Sequence, residues 1–146
     1  MISIELARAL RRLGLRWSPI PGDHFCIERL ADSADALEAN EVFVISDMTI
    51  EAHAYPTGTV LGMNGTTEWA LDSVELEDSL WLPREDQLRD LLGKAFASLR
   101  RTVQEDGAIR FQVELDRAGR RMVYEDADPA EAYGNALLAL MAEATA

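Results

Sequence analysis

Residues 109 to 115 alternate strictly: Ile109, Phe111, Val113 and Leu115 are apolar, while Arg110, Gln112 and Glu114 between them are polar. Successive side chains of an extended chain point to opposite faces, so this period of two predicts a strand with one wet face and one buried face. Glycine-ended turns flank it, EDG at 105–107 and DRAG at 116–119, and such connectors join antiparallel neighbours. Leu99 to Gln104 and Met122 to Glu125 supply the neighbouring strands of a meander. Asp128-Pro129-Ala130-Glu131 then combines an N-cap, a first-position proline and a third-position glutamate. The helix it opens presents Tyr133, Leu137, Leu140 and Met141, and Gly134 points to close approach of another element.

The same signals organise the rest of the chain. Ser3 is placed to cap a first helix that runs to Leu13 and ends at Gly14. Arg16 to Gly22 is a connector punctuated by Trp17 and two prolines, and His24 to Glu28 is a short strand. The small, acidic stretch RLADSADALEAN that begins at Arg29 is a surface loop with at most one helical turn. Val42 to Ile45 is continuously apolar and predicts a strand buried on both faces. Ile50, Ala52 and Ala54 alternate with Glu51, His53 and Tyr55, Pro56-Thr57-Gly58 turns the chain, and Thr59 to Met63 returns as a hairpin mate. A helix is expected from Gly65 or Thr66, with Trp69 packed inward beside Leu71 and Val74. Pro83 fits the first position of another, whose apolar stripe is Leu88, Leu91, Leu92, Ala95, Phe96 and Leu99.

Hairpins in succession with helices set to one side predict an α+β fold: antiparallel sheets with helices packed on one side and a C-terminal helix-meander-helix. A chain of 146 residues fits one α+β domain, or two intimately packed halves, 1–80 and 81–146. The N-terminus has helical spacing broken by Arg8, Arg11 and Arg12, without the apolar core of an export signal. The longest apolar run, Ala136 to Ala142, falls far short of the ~18 residues a membrane span needs. One cysteine, Cys26, excludes an internal disulfide framework. A cytoplasmic protein without membrane insertion is expected.

Charge is unevenly distributed. The net charge is −12, and residues 28 to 90 account for all of it, with fifteen acids against three arginines. From Leu30 to Pro83 there are eleven acids and no lysine or arginine. Such a field opposes nucleic acid and anionic membranes, and suits either solubility or docking to a basic partner.

Several chemistries are missing. Gly93-Lys94 is the only Gly-Lys pair, but Leu88 stands where a phosphate loop needs its first glycine and Ala95 where it needs Ser or Thr. Neither G-x-G-x-x-G nor G-x-S-x-G occurs. Glu75, Glu77, Asp78, Asp47 and Glu51 include no pair that spacing marks for general acid–base work. One metal-like set remains. His24 and Cys26 share a strand face, as do Glu51 and His53, so zinc is conceivable if those strands are neighbours. Trp69, Trp81 and Arg84 are candidate partner-binding residues, since Trp and Arg are favoured at interface hot spots. For Trp81 and Leu82 the competing role is a hydrophobic staple before the helix proline.

At VFVISDMTIEAH, PTGTVLGMNGTTEWALDSVE and LWLPREDQLRDLLG, and through the closing DADPAEAYGNALLALM, the chain resembles a family of short actinobacterial proteins that carry the label pilus assembly protein CpaE. The likeness covers most of residues 1 to 143, with RLADSADALEAN departing from the shorter loop expected there, and implies no activity or catalytic residue. Longer proteins of that name resemble receiver-plus-ATPase proteins. Without a phosphate-binding loop here, a link to pilus or secretion machinery is expected only as an interaction. The meander followed by DPAEAYGNALLAL also looks like the antitoxin half of HicA/HicB-type pairs, which implies a basic toxin as partner. The leading expectation is a non-enzymatic, cofactor-free binding or adaptor protein whose acidic residues 30–83 contact a protein partner. The alternatives are a metal-dependent protein or enzyme built on His24, Cys26, His53 and Glu51, and an antitoxin-like regulator. Gly134 and the apolar C-terminal face permit a homodimer.

Overall fold

The computed structural model describes residues 1–28, 41–46, 50–55, 58–63 and 73–145; for 50–55, 58–63 and 73–75 the description is of the backbone. The fold is α+β, and every strand pair is antiparallel. Contacts divide the chain into two units, one made of Met1–Arg16 with Pro83–Ala146, the other of Trp17–Leu82. The division differs from an N-terminal and a C-terminal half, because the first helix belongs with the C-terminal residues.

In the first unit, α1 (Ile4–Arg12) starts where the Ser3 hydroxyl accepts the Leu6 N–H at 3.2 Å. It ends where Gly14 takes φ 105° and the Leu15 N–H reaches back to the Leu10 carbonyl at 3.0 Å. Ile2, Leu6 and Leu10 are buried on one face. The second helix, α2 (Glu85–Leu92), begins two residues later than Pro83 suggests: Arg84 is the cap, and its N–H donates to Gln87 Oε1 at 3.0 Å. Gly93 at φ 57° ends it, and a 3-10 turn over Gly93–Ala95 leads directly into a strand that begins at Phe96. The helical stripe therefore stops at Leu92. Phe96 and Leu99 repeat at helical spacing only by coincidence of a strand following a helix.

The meander is β7 (Phe96–Val103), β8 (Ile109–Arg117) and β9 (Arg120–Asp126), in that spatial order. Val113 and Leu115 are fully buried beneath α3 (Pro129–Thr145), which packs on β8, β9, α1 and α2. Each such side chain contributes about 1.5–3 kcal/mol by leaving water. The two-residue loop between β8 and β9 puts Ala118 at φ 52° and Gly119 at φ 85°, and Asp116 Oδ1 accepts the Gly119 N–H at 3.0 Å. In α3 the Ala130 N–H donates to Asp128 Oδ1 at 2.9 Å, the N-cap that the sequence predicts. Glu131 does not complete a capping box on its own helix. It accepts the backbone N–H of Ser3, with Ser3 Oγ 3.5 Å from its other oxygen, and so ties the start of α1 to the start of α3. At Gly134 a Cβ would lie 2.5 Å from Leu6 Cδ2, which is the close approach expected there.

Among its described residues the second unit holds two three-stranded sheets. The central strand of one, β1 (His24–Ile27), lies between β2 (Phe43–Val44) and β6 (Ser79–Leu82). Phe25, Cys26 and Ile27 are all buried, so β1 is the strand covered on both faces. The prediction had given that place to residues 42–45. There Phe43 and Ile45 are buried but Val44 is 44% exposed, because β2 is a two-residue edge covered on one side only. The other sheet is a meander of β3 (Ile50–Tyr55), β4 (Gly58–Met63) and β5 (Ser73–Glu75). The predicted hairpin is present, with Tyr55 opposite Gly58 and Ile50 opposite Met63. The helix expected from residue 65 or 66, Trp69 included, lies outside the described residues up to 72. Val74, assigned to that helix, instead sits in β5 opposite Leu61.

Candidate functional site

The Arg16–Gly22 connector enters the second unit through a tight turn. Pro21 presets φ for its second position and Gly22, at φ 91°, takes the third, while the Asp23 N–H closes the turn on the Ile20 carbonyl at 3.1 Å. Asp23 is 1% exposed. Its Oδ2 accepts the Trp17 indole N–H at 2.8 Å and the Ile20 N–H at 3.1 Å. Its backbone carbonyl accepts the Ile45 N–H at 2.9 Å, and the Gly22 N–H donates to the Ile45 carbonyl at 2.7 Å. A buried carboxylate is tolerated when donors surround it, and here they pin Trp17 over the sheet.

Trp17 then extends an aromatic layer. Its ring lies 5.5 Å from Phe25 and stacks on Trp81 at 6.5 Å with 7° between planes, and Phe25 lies 5.5 Å from Phe43. Phe25, Ile27, Phe43 and Ile45 form the core of this unit, with Trp17 and Leu76 packed against it. Trp81 is therefore neither a helix staple nor a projecting anchor. It is a half-buried member of β6, opposite Phe25, and its indole N–H is buried with no hydrogen-bond partner among the described residues. Arg84, the third candidate for partner contact, pairs with Asp86, Nε to Oδ1 at 3.1 Å. That hydrogen bond holds the Asp86 carboxyl below its ordinary range.

The zinc reading requires β1 and β3 to be neighbours, and they are not. His24 and Cys26 belong to the β2-β1-β6 sheet; residues 51 and 53 belong to β3, which among the described residues pairs with β4 alone. Cys26 is 1% exposed and opposite Leu80, the setting of a small core residue. Among the described residues no three His, Cys, Asp or Glu side chains are grouped to hold a metal ion. None of the described helices is long and apolar enough to cross a membrane.

Electrostatics set the two units apart. The second unit carries thirteen acids and one arginine, at position 29, for a net charge of −12; the first carries thirteen of each sign and is neutral. Within the first unit Arg117 pairs with Glu143, Arg121 with Glu114, and Arg110 with Glu125 at 3.8 Å. Asp23 is the one acid buried among the described residues of the second unit, whereas Glu41 and Glu77 are exposed. Periodicity gave no sign of Asp23, which sits in PGDHF as an ordinary turn acid; only its indole partner six residues away marks it. A shallow surface cavity of about 340 Å³ opens beside the β8–β9 turn, lined by Arg117, Ala118, Arg120, Met122 and Glu143. Its cationic wall is half neutralised by Glu143.

No protein-family model, curated protein or solved structure matches this chain.

Proposed function

We propose that this protein is a non-enzymatic binding protein whose acidic unit, residues 17–82, docks a basic macromolecular partner. One observation carries the reading: the entire net charge of −12 falls within a single structural unit that has one arginine to offset thirteen acids. A surface of one sign steers a partner of the other sign and repels nucleic acid and anionic lipid. Trp81, stacked within the sheet, takes no part in this contact, which the exposed carboxylates make instead.

The experiment is retention of cellular proteins on the immobilised chain at about 50 mM and about 500 mM salt, where the screening length falls severalfold. A partner held at low salt, released at high salt, and lost from a Glu41→Gln/Glu77→Gln/Asp78→Asn variant supports the reading. Retention of nothing at either salt, or retention indifferent to both salt and substitution, sinks it. The meander β7–β9 followed by α3 keeps the antitoxin-like form of the same proposal in view, with a small basic toxin as the partner. Rescue of growth on co-expression with a neighbouring basic reading frame tests that form.

A further inference from the structure

The two outer strands of the β7-β8-β9 sheet are unlike. On β9, Arg121 pairs with Glu114 and Glu125 accepts from Gln112 at 2.7 Å, so two of its charges are met within the sheet, and α3 packs against it. Among the described residues β7 hydrogen-bonds to β8 alone, and five of its eight residues are exposed. Past a bulge between Phe96 and Ser98 the register is regular to Val103. Leu99 is 40% and Val103 61% exposed, and Ile109, directly opposite Val103 on β8, is 41% exposed. Alternation places Leu99, Arg101 and Val103 on one face of β7, and Ser98, Arg100 and Thr102 on the other. Arg100 and Arg101 are exposed, and among the described residues neither forms an ion pair.

We propose that the open edge of β7 accepts an extended acidic segment of a protein partner as a fourth strand of this sheet. The edge supplies backbone groups that no other described strand pairs, Leu99 and Val103 supply apolar contact, and the two arginines supply charge recognition on both faces. The matching segment carries an acid between two apolar residues on one face and a second acid on the other. A second copy of the chain fits poorly. Two-fold pairing of β7 with itself centred on Leu99 sets Arg100 diagonal to its own counterpart, and centring on Arg100 or Arg101 sets like charges directly opposite, which is destabilising. These residues belong to the first unit, and the proposal does not rest on the function proposed for the acidic one.

The probe is a synthetic peptide of about ten residues, the upper end of the usual strand length, built around Val-Thr-Glu-Glu-Val, which sets valine, glutamate and valine on one face and a second glutamate on the other. Binding is followed by fluorescence anisotropy. The wild-type protein is expected to bind it and to ignore the same peptide with both glutamates replaced by lysine. Arg100→Glu/Arg101→Glu, both at exposed positions and checked for folding by circular dichroism, is expected to weaken binding tenfold or more, as two attractive contacts become repulsive. Methylating alternate peptide amides on the paired edge removes strand addition but keeps charge, and is expected to abolish binding. Equal binding of acidic and basic peptides, no effect of the double substitution, or undiminished binding of the methylated peptide would each overturn the proposal. So would a homodimer in sedimentation that the acidic peptide cannot dissociate, which assigns the edge to a second copy. Glu41→Gln/Glu77→Gln/Asp78→Asn is expected to bind the peptide unchanged, so failure here leaves the acidic-unit reading standing.

Discussion

Gly134 shows how much one hydrogen atom decides where α1 crosses α3. In an ordinary helix, Gly→Ala gains about 1 kcal/mol of helix propensity. At 134 the added methyl would press on Leu6, 2.5 Å from Cδ2 and 3.3 Å from Cγ, and Leu6 is itself 6% exposed and has little room to turn. Overpacking of that kind costs about 1–3 kcal/mol and so outweighs the propensity gain. Gly134→Ala is expected to destabilise the protein by about 1 kcal/mol net in urea unfolding. Combined with Leu6→Ala it should cost less than the two changes summed, since the smaller side chain makes the room. A stabilising Gly134→Ala would mean the helices do not meet there. Asp23 teaches the opposite lesson. Its burial follows from Trp17 and Ile20 presenting donors to it, and no count of neighbouring residue types foretells that.

At the scale of the element, β8 carries the two faces that its alternation announced, and the polar one is a working lattice. Glu114 accepts from the Arg121 guanidinium on β9 and from the Ser98 hydroxyl on β7 at 3.1 Å, a bridge across all three strands. Those donors, the guanidinium foremost, hold its carboxyl below the ordinary value of 4.5. A carboxyl whose folded value is lowered adds stability that is complete above its unfolded value and vanishes as pH falls through the folded one. Glu114→Gln should therefore melt below the wild type at pH 7, with the gap closing as pH is taken below about 4.5. Melting curves from pH 7 to pH 3 check this, and a gap that ignores pH would show that the lattice contributes nothing. The strand, its turns and the Asp128 cap were all legible beforehand, because each is set by dihedrals and hydrogen bonds within a few residues. The end of α2 was not: Leu88, Leu92, Phe96 and Leu99 keep helical spacing straight across a helix, a turn and a strand.

For the molecule as a whole, charge is the dominant asymmetry. Thirteen acids with one arginine in the unit of residues 17–82 repel one another, and added salt screens that repulsion. Raising sodium chloride from about 10 mM to about 300 mM, which shortens the screening length from about 30 Å to about 6 Å, is expected to raise the melting temperature. Amide exchange should show β1 gaining more protection than β8, since only the former lies in the charged unit. Equal gains in both strands, or a melting temperature that falls, would contradict it. The acid count, the α+β class, the capped helices and the period-two strands all follow from residue order, because composition and local backbone geometry need no partner. Which segments meet does not follow from it. That α1 joins the C-terminal unit through Glu131 and Gly134, that β1 pairs with β6 across some fifty residues, and that β1 and β3 fall in separate sheets were settled by the fit of distant faces. Pairing of remote strands depends on side chains that approach only once the chain has closed on itself, so the metal set lost the strand pairing it rested on while the meander survived.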